Sequence, residues 1–323
     1  MQMQYTLLRY LCDGKFHSGE TLAQQLGVSR TAIWKSVKVI QRRFNLRIDA
    51  VNGRGYRLAH PVELLDATII RQALQPSSKA CDIQILFSID STNRYLLELA
   101  AKKDSHEVIV FAEYQTAGKG RLGRTWVSPF GANIYFSLLW KFKIVPAALS
   151  GLGLAIGVAI ARVLRHLAVP DVKLKWPNDI LCQGRKLCGI LIEMQGEMSA
   201  SAMVVIGVGL NVKMTPEDAE AIDQPWIDLQ RAGGIGISRN QLAAALINEI
   251  ISVLILFEEC GLQPFLAEWR DFDCYKDQSV ILQVAEQKIT GIARGIDDNG
   301  ALLLEDQRLL RRFYSGDVRL REG

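Results

Sequence analysis

Gly118-Lys-Gly-Arg-Leu-Gly-Arg-Thr-Trp126 decides between two ways of folding this chain. Its first six residues match G-x-G-x-x-G, and they follow an apolar run at 107–113 that reads as a strand. A dinucleotide-binding unit needs a helix directly after those glycines and an acidic residue about 20 positions further on, for the ribose. Trp126, Pro129 and Gly131 break any such helix, and no Asp or Glu occurs in the 57 residues from Tyr114 to Pro170. The Gly-Lys-Ser/Thr ending of a P-loop is missing too. What remains is three glycines with Lys119, Arg121 and Arg124 inside seven residues. Backbone amides and guanidinium groups in such a loop can receive phosphate or carboxylate. A surface turn with basic decoration is the plainer alternative.

Working outward, strand-like runs lie at 83–89, 107–113, 132–140, 172–176, 187–194 and 202–210, with long helical patterns at 147–167 and 238–259 and a shorter one at 262–270. Several strands follow each other directly, which predicts an α/β (α+β) layered body on a mixed sheet rather than a doubly wound one. Lys173-Leu-Lys-Trp-Pro-Asn-Asp179 ends a strand at Pro177 and leaves Asn178 and Asp179 at its tip, a usual place for polar active groups. Asp179 is the candidate magnesium ligand, since Mg²⁺ takes carboxylate oxygens together with substrate phosphates. Lys186 starts an otherwise apolar strand, and a half-buried lysine there needs an anionic partner. Ser91-Thr-Asn93 either caps a helix to Ala101 or faces a ligand. Gly189, Gly207 and Gly209 leave room for a flat ligand or for close backbone, and Asn211 ends the strand at 202–210.

The 323 residues imply two or three domains. Net charge is +4, but residues 1–60 alone carry +7 and the remainder −3. That predicts an N-terminal module for a polyanion. Its pattern is a helix at 4–12, a second capped by Ser18 and ended at Gly27, and a third capped by Ser29 and running to about Phe44. A hairpin about Asn52-Gly53 follows, completing a winged helix-turn-helix. Ser29, Arg30, Thr31, Lys35, Lys38 and Arg54 are its candidate DNA contacts. Trp34 either completes the core or lies against DNA. A small helical cap with a solvated basic face is the competing reading.

The uncharged run Ile144 to Ala161 contains Pro146 and three glycines, and reads as a buried helix, not a membrane span. No secretory signal is expected from the N-terminal residues. Six scattered cysteines without Cys-x-x-Cys predict reduced thiols, a cytoplasmic setting and no structural zinc. From Asp273 on, strands at 279–285, 288–297, 301–305 and 308–313 with turns at Asp298-Asn-Gly300 and Ser315-Gly316 predict a small barrel. Expected domains are 1–62, a connecting helix and linker at 63–78, 79–271, and 272–323. Cations, one acid and glycine loops, with no serine elbow or Cys–His pair, suit phosphate handling by positioning and charge. Activation of a carboxylate by ATP fits this chemistry. A body that senses a small acid or nucleotide without catalysis is the alternative.

The quoted glycine loop, Ser128-Pro-Phe-Gly-Ala-Asn133, Lys175-Trp-Pro-Asn-Asp179, Arg185-Lys-Leu-Cys-Gly-Ile190, Ser91-Thr-Asn93 and Gly207-Val-Gly-Leu-Asn211 together resemble the bacterial bifunctional biotin–protein ligase and biotin operon repressor family. The resemblance extends over nearly the whole chain. It implies synthesis of biotinyl-5′-AMP from biotin and ATP with Mg²⁺, then transfer of biotin to a lysine of a biotin carboxyl carrier protein. It also implies operator binding by an adenylate-bound homodimer, with no membrane association. On that resemblance Ser91, Thr92, Asn93, Gln115, Lys119, Gly120, Arg121, Lys186, Gly189, Gly207 and Gly209 face biotin. Arg124, Trp126, Asn178, Asp179, Asn211 and Trp226 face the adenylate, with Trp126 supporting the loop or covering adenine and Trp226 over adenine in a loop at 214–236. Arg121, Lys186 and Asp179 are its catalytic set, and the C-terminal barrel is SH3-like. Lys119 stands where relatives often have arginine, so a planar two-donor grip becomes a point charge.

Overall fold

The N-terminal module is specified locally. Helices α1 (Gln2–Leu11), α2 (Gly19–Leu26) and α3 (Arg30–Phe44) pack on a core of Leu7, Leu8, Leu11, Leu22, Ile33, Val37 and Ile40. The Ser18 hydroxyl accepts from the Thr21 amide at 3.0 Å and Ser29 accepts from Ala32 at 3.2 Å, so each serine satisfies a free N–H at a helix start. Gly27 ends α2 with φ of 63°, a left-handed conformation in which glycine has no side-chain clash. Strands β1 (Ile48–Val51) and β2 (Gly55–Leu58) form the wing around the turn at Asn52-Gly53, and His17 bridges to Tyr56. The structure, a computed structural model, describes residues 2–102, 107–195, 201–307 and 309–320. Residues 1, 308 and 321–323, at the ends of expected domains or strands, lie outside the described residues.

The connecting segment is less helical than its sequence suggests. Only α4 (Ala67–Gln72) forms within 63–75, and Pro76–Ser78 is one 3₁₀ turn. The reason is that Glu63 and Leu65 are bound elsewhere. Glu63 accepts from Ser238 Oγ at 2.6 Å and from the Arg239 amide at 2.7 Å, and the Leu65 amide donates to Glu113 at 2.6 Å.

The body is a seven-stranded sheet in the order β3-β4-β5-β9-β8-β7-β6. Its strands are β3 (Asp82–Leu86), β4 (Val108–Ala112), β5 (Asn133–Phe142), β6 (Val172–Lys175), β7 (Asp179–Cys182), β8 (Arg185–Gln195) and β9 (Ala202–Asn211). Only β3 and β4 are parallel, joined through α5 (Thr92–Lys102), and the remaining pairs are antiparallel. Strand β7 has no counterpart in the sequence reading. Alternation sorts the faces. Ile109, Phe111, Ile134, Phe136, Val204 and Ile206 join the core with α6 (Leu152–His166), α7 (Arg239–Cys260) and α8 (Leu266–Phe272). Val108, Val110, Leu139 and Val205 pack on Leu96 of α5. The long uncharged run thus lies largely in a core helix: Pro146–His166, which contains α6, and α7 are apolar and long enough to span a membrane, yet both are mostly buried in the protein.

The C-terminal strands β10 (Ser279–Val284), β11 (Gln287–Ile296), β12 (Leu302–Asp306), β13 (Leu309–Phe313) and β14 (Asp317–Leu320) correct the expected SH3-like barrel. They form an open sheet in the order β13-β12-β11-β10-β14, and β13 and β14 do not pair. Four of the five residues of β13 are exposed, so there is no second apolar face to line a barrel interior. The buried face of Val280, Leu282, Leu302, Leu304 and Val318 instead joins the core of the body. Trp176 Nε1 donates to Gly300 O at 3.0 Å across that junction.

Candidate functional site

The α5 face of the sheet holds a cavity of about 660 Å³. Gly189, Gly207 and Gly209 line it, but side chains already occupy the space that these glycines free. A methyl on Gly207 would collide with the Asn93 amide, and one on Gly209 or Gly189 with the Trp126 indole. Trp126 therefore lies on a floor made by Gly189 and Gly209. Asn93 is locked where it stands: Nδ2 donates to Glu193 at 2.8 Å and Oδ1 accepts from Ser137 at 2.5 Å. Gln115 accepts from the Thr92 amide at 2.9 Å and donates to Ser128 at 3.0 Å. With Ser91, these groups make a rigid polar rim at the start of α5.

The glycine loop folds back on itself. The Trp126 amide donates to Gly118 O at 2.8 Å and the Gly120 amide to Arg124 O at 2.7 Å. No α-helix follows, only a 3₁₀ turn at Arg121–Gly123. Arg121 reaches across the cavity and donates to Asn178 Oδ1 at 3.1 Å and to Gly316 O at 3.4 Å. Burial lowers its pKa, partly offset by the charges of Asp179 and Asp317, though a guanidinium stays protonated regardless. Lys186 approaches Asp179 Oδ1 to 2.8 Å and stands 5.4 Å from the centre of the Trp126 ring. A β-bulge aims it there: Ile180 pairs with Cys188 but Leu181 with Lys186, leaving Leu187 as the extra residue.

Of the expected site residues, Ser91, Thr92, Asn93, Gln115, Lys119, Gly120, Arg121, Arg124, Trp126, Asn178, Asp179, Lys186, Gly189, Gly207 and Gly209 all border this one cavity. Asn211 and Trp226 do not. Asn211 is buried and donates to Ile227 O at 3.1 Å, tying the loop at 214–236 to the sheet. The same loop pairs with the start of β8, where the Lys186 amide donates to Pro225 O at 3.0 Å and the Ile227 amide to Lys186 O at 2.9 Å. Trp226 stacks under the Arg231 guanidinium at 4.7 Å, beside Val127 and Ile222.

The sequence reading expects the C-terminal domain to help grip ATP or the carrier protein but singles out none of its residues. Asp317 receives Arg124 at 2.7 Å and Lys175 at 3.5 Å, and it lines the cavity with Tyr275, Gly316 and Arg319. Six cations against three carboxylates border the cavity, a surplus suited to a polyphosphate. Burial pushes the Asp317 pKa up, but the Arg124 hydrogen bond and the charges of Lys175, Arg124 and Arg319 outweigh it and bring it down to about 2. The unfolded value is higher, so this carboxylate stabilises the fold fully above about pH 4, and that contribution is lost as pH falls toward 2. Asp317→Asn is expected to show a smaller loss of stability between pH 4 and pH 2 than the parent chain. Acid unfolding followed by tryptophan fluorescence measures this, and identical slopes in that window would exclude it.

Among the described residues no group of three His, Cys, Asp or Glu is gathered for a metal. The donor set nevertheless fits a Mg²⁺ that arrives with a nucleotide, because such an ion needs only one or two carboxylates beside phosphate oxygens. Asp179 is buried beside the cavity, and its Oδ1 makes no hydrogen bond although the Lys186 ammonium is close.

On the winged helix, Ser29, Arg30, Thr31, Lys35, Lys38 and Arg54 are all exposed. Ser29 is engaged as the cap of α3, and Arg54 lies 4.2 Å from the centre of the Phe16 ring. A groove of about 590 Å³ separates α3 from the wing and is bordered by Arg30, Thr31, Trp34, Asn52 and Gly53.

Residues 86–211 match the biotin/lipoate A/B protein ligase family, 4–57 an HTH domain, and 277–321 the biotin protein ligase C terminal domain. The chain is 45% identical over 318 residues to the bifunctional ligase/repressor BirA of Salmonella typhimurium, covering 98% of this chain and 97% of that one. It is 32% identical over 314 residues to BirA of Bacillus subtilis, covering 95% and 94%. The solved biotin protein ligase from Aquifex aeolicus in complex with biotin and ATP is similar with a TM-score of 0.64 at 28% identity, over 75% of this chain and 99% of that chain.

Proposed function

The chain belongs to the family of bifunctional biotin–protein ligases and biotin operon repressors, and from that premise we propose how its residues divide the work. It is an ATP-dependent biotin ligase of the cytoplasm. It forms biotinyl-5′-AMP from biotin and ATP, transfers biotin to a lysine of biotin carboxyl carrier protein, and binds operator DNA to repress transcription.

The observation that carries the assignment of roles is the meeting of Arg121 and Lys186. They come from distant parts of the chain, yet Arg121 binds Asn178 while Lys186 binds the adjacent Asp179 on the wall of one cavity. Biotin enters over the rim of Ser91, Thr92, Asn93 and Gln115, which supplies hydrogen-bonding groups for a ureido ring. Its carboxylate, already an anion, attacks the α-phosphorus of ATP. The new O–P bond forms as the bond to pyrophosphate breaks, and no general base is needed. Lys186 and Arg121 exchange their internal partners for phosphoryl oxygens, so positive charge stands where negative charge gathers. In the second step the carrier lysine, as the free amine, attacks the acyl carbon, gives up one proton to water, and AMP leaves. Mg²⁺, held by Asp179 and the phosphates, would screen charge on the phosphoryl oxygens and on pyrophosphate. Asp317 keeps Arg124 and Lys175 at the mouth of the cavity. With adenylate bound, two chains pair and present two winged helices to two half-sites.

Incubation of the purified chain with labelled biotin, ATP, magnesium and carrier protein tests the catalytic reading. Label on one carrier lysine is the expected result. Its absence, with operator binding retained, would leave a sensor in place of an enzyme.

A further inference from the structure

The recognition helix carries an aromatic residue that neither the core nor catalysis uses. Trp34 is 51% exposed. On α3, Ile33, Ser36, Val37, Ile40 and Phe44 are buried, while Arg30, Trp34 and Lys38 form one outward row at four-residue spacing, flanked by Thr31 and Lys35. Trp34 thus has a cation one turn away on either side, and its ring borders the groove between helix and wing. The groove also holds one acid, Glu20, at the start of α2.

This inference rests on the DNA-binding reading above and narrows it. The four charged or hydroxyl-bearing neighbours can serve phosphates, which position a protein without reading sequence. An indole carries no charge and adds little to that attraction. It offers apolar ring surface and one N–H donor. Thymine is the base whose major-groove edge combines an apolar group, the 5-methyl, with an acceptor, O4. Guanine shows acceptors only, cytosine a donor only, and adenine an acceptor beside a donor. We propose that Trp34 is the sequence-determining contact of this helix-turn-helix, reading thymine in each half-site through its methyl group and O4. The surrounding cations supply affinity.

The test starts with duplexes of roughly 40 base pairs, long enough for separated half-sites, selected from a randomised pool by the chain loaded with biotin and ATP. Thymines in the selected site are then replaced one at a time by deoxyuridine, which lacks only the methyl group. The parent chain is expected to lose about tenfold in affinity at one or more positions per half-site. Trp34→Ala should show no such loss, and Trp34→Phe should keep much of it. The salt dependence of Trp34→Ala should match the parent, whereas Lys35→Ala should reduce the log–log slope by about 1.8, roughly 0.9 for each chain of the pair. Amide hydrogen exchange across residues 2–58 of each variant confirms that its winged helix is folded. A deoxyuridine penalty that persists undiminished in Trp34→Ala overturns the proposal while leaving DNA binding intact. A parent chain that enriches no sequence removes the DNA-binding reading and this contact together.

Discussion

Replacing Lys186 with methionine is expected to slow adenylate formation by about a thousandfold, roughly 4 kcal/mol in the activation barrier. The ammonium lies 2.8 Å from Asp179 Oδ1, and its side chain is only 15% exposed. Water therefore screens it less than a surface charge, and it acts more strongly on a phosphoryl group brought beside it. Methionine keeps an unbranched apolar stem but removes the ammonium, and with it the charge over the Trp126 ring. The fold tolerates the change because Lys175, 3.9 Å away, still faces the Asp179 carboxylate. Initial rates of biotin-dependent pyrophosphate release measure the effect, with biotin affinity determined separately by calorimetry. A variant within tenfold of the parent rate would sink the assignment of Lys186 to the reacting phosphoryl group.

The second large effect is on stability. Glu113→Ala is expected to destabilise the body by about 3–5 kcal/mol, because it leaves the Arg239 cation buried without its counter-charge. The two side chains are 2% and 6% exposed, and their charged groups stand 2.9 Å apart. Glu113 also accepts the Leu65 amide at 2.6 Å, while Arg239 donates to Asn133 O at 2.7 Å and to Glu63 O at 2.5 Å. One pair thus ties the connecting segment, the sheet and the start of α7 together. The double variant Glu113→Gln with Arg239→Met keeps an acceptor for Leu65 and removes both charges. It should lose less stability than Glu113→Ala alone. Urea unfolding followed by tryptophan fluorescence decides this. A loss below about 1 kcal/mol for Glu113→Ala would mean that the cation finds water in the folded chain.

The winged helix was legible because its signals are local. A capping serine, a left-handed glycine and an Asn-Gly turn act within a few residues of themselves, and all of them hold in the structure. The glycine loop was legible for a related reason: it lacks the helix that a dinucleotide fold requires. The errors arose where a segment's partner lies far along the chain. Residues 63–66 gave up helix for bonds to α7 and to Glu113, just beyond β4. The C-terminal strands buried their apolar face on the body and left β13 and β14 unpaired. No spacing in the sequence announced Asp317, since its importance lies in Arg124 and Lys175, residues more than a hundred positions away.

The amino-acid sequence by itself determined the separation of a basic DNA-facing end from a near-neutral body, the helices and turns of that end, and the set of cations and glycines available for phosphate chemistry. Those properties depend on composition and on neighbours a few bonds apart. Only the tertiary structure decided which cation faces which carboxylate. The bulge at Leu187 turns Lys186 into the cavity, the antiparallel pairing of β7 with β8 sets Asp179 opposite Gly189, and the open C-terminal sheet brings Asp317 to the glycine loop. A buried charge must be neutralised by whatever the packing of strands places within a few ångströms, and that distance is set by strand adjacency and register rather than by position in the chain.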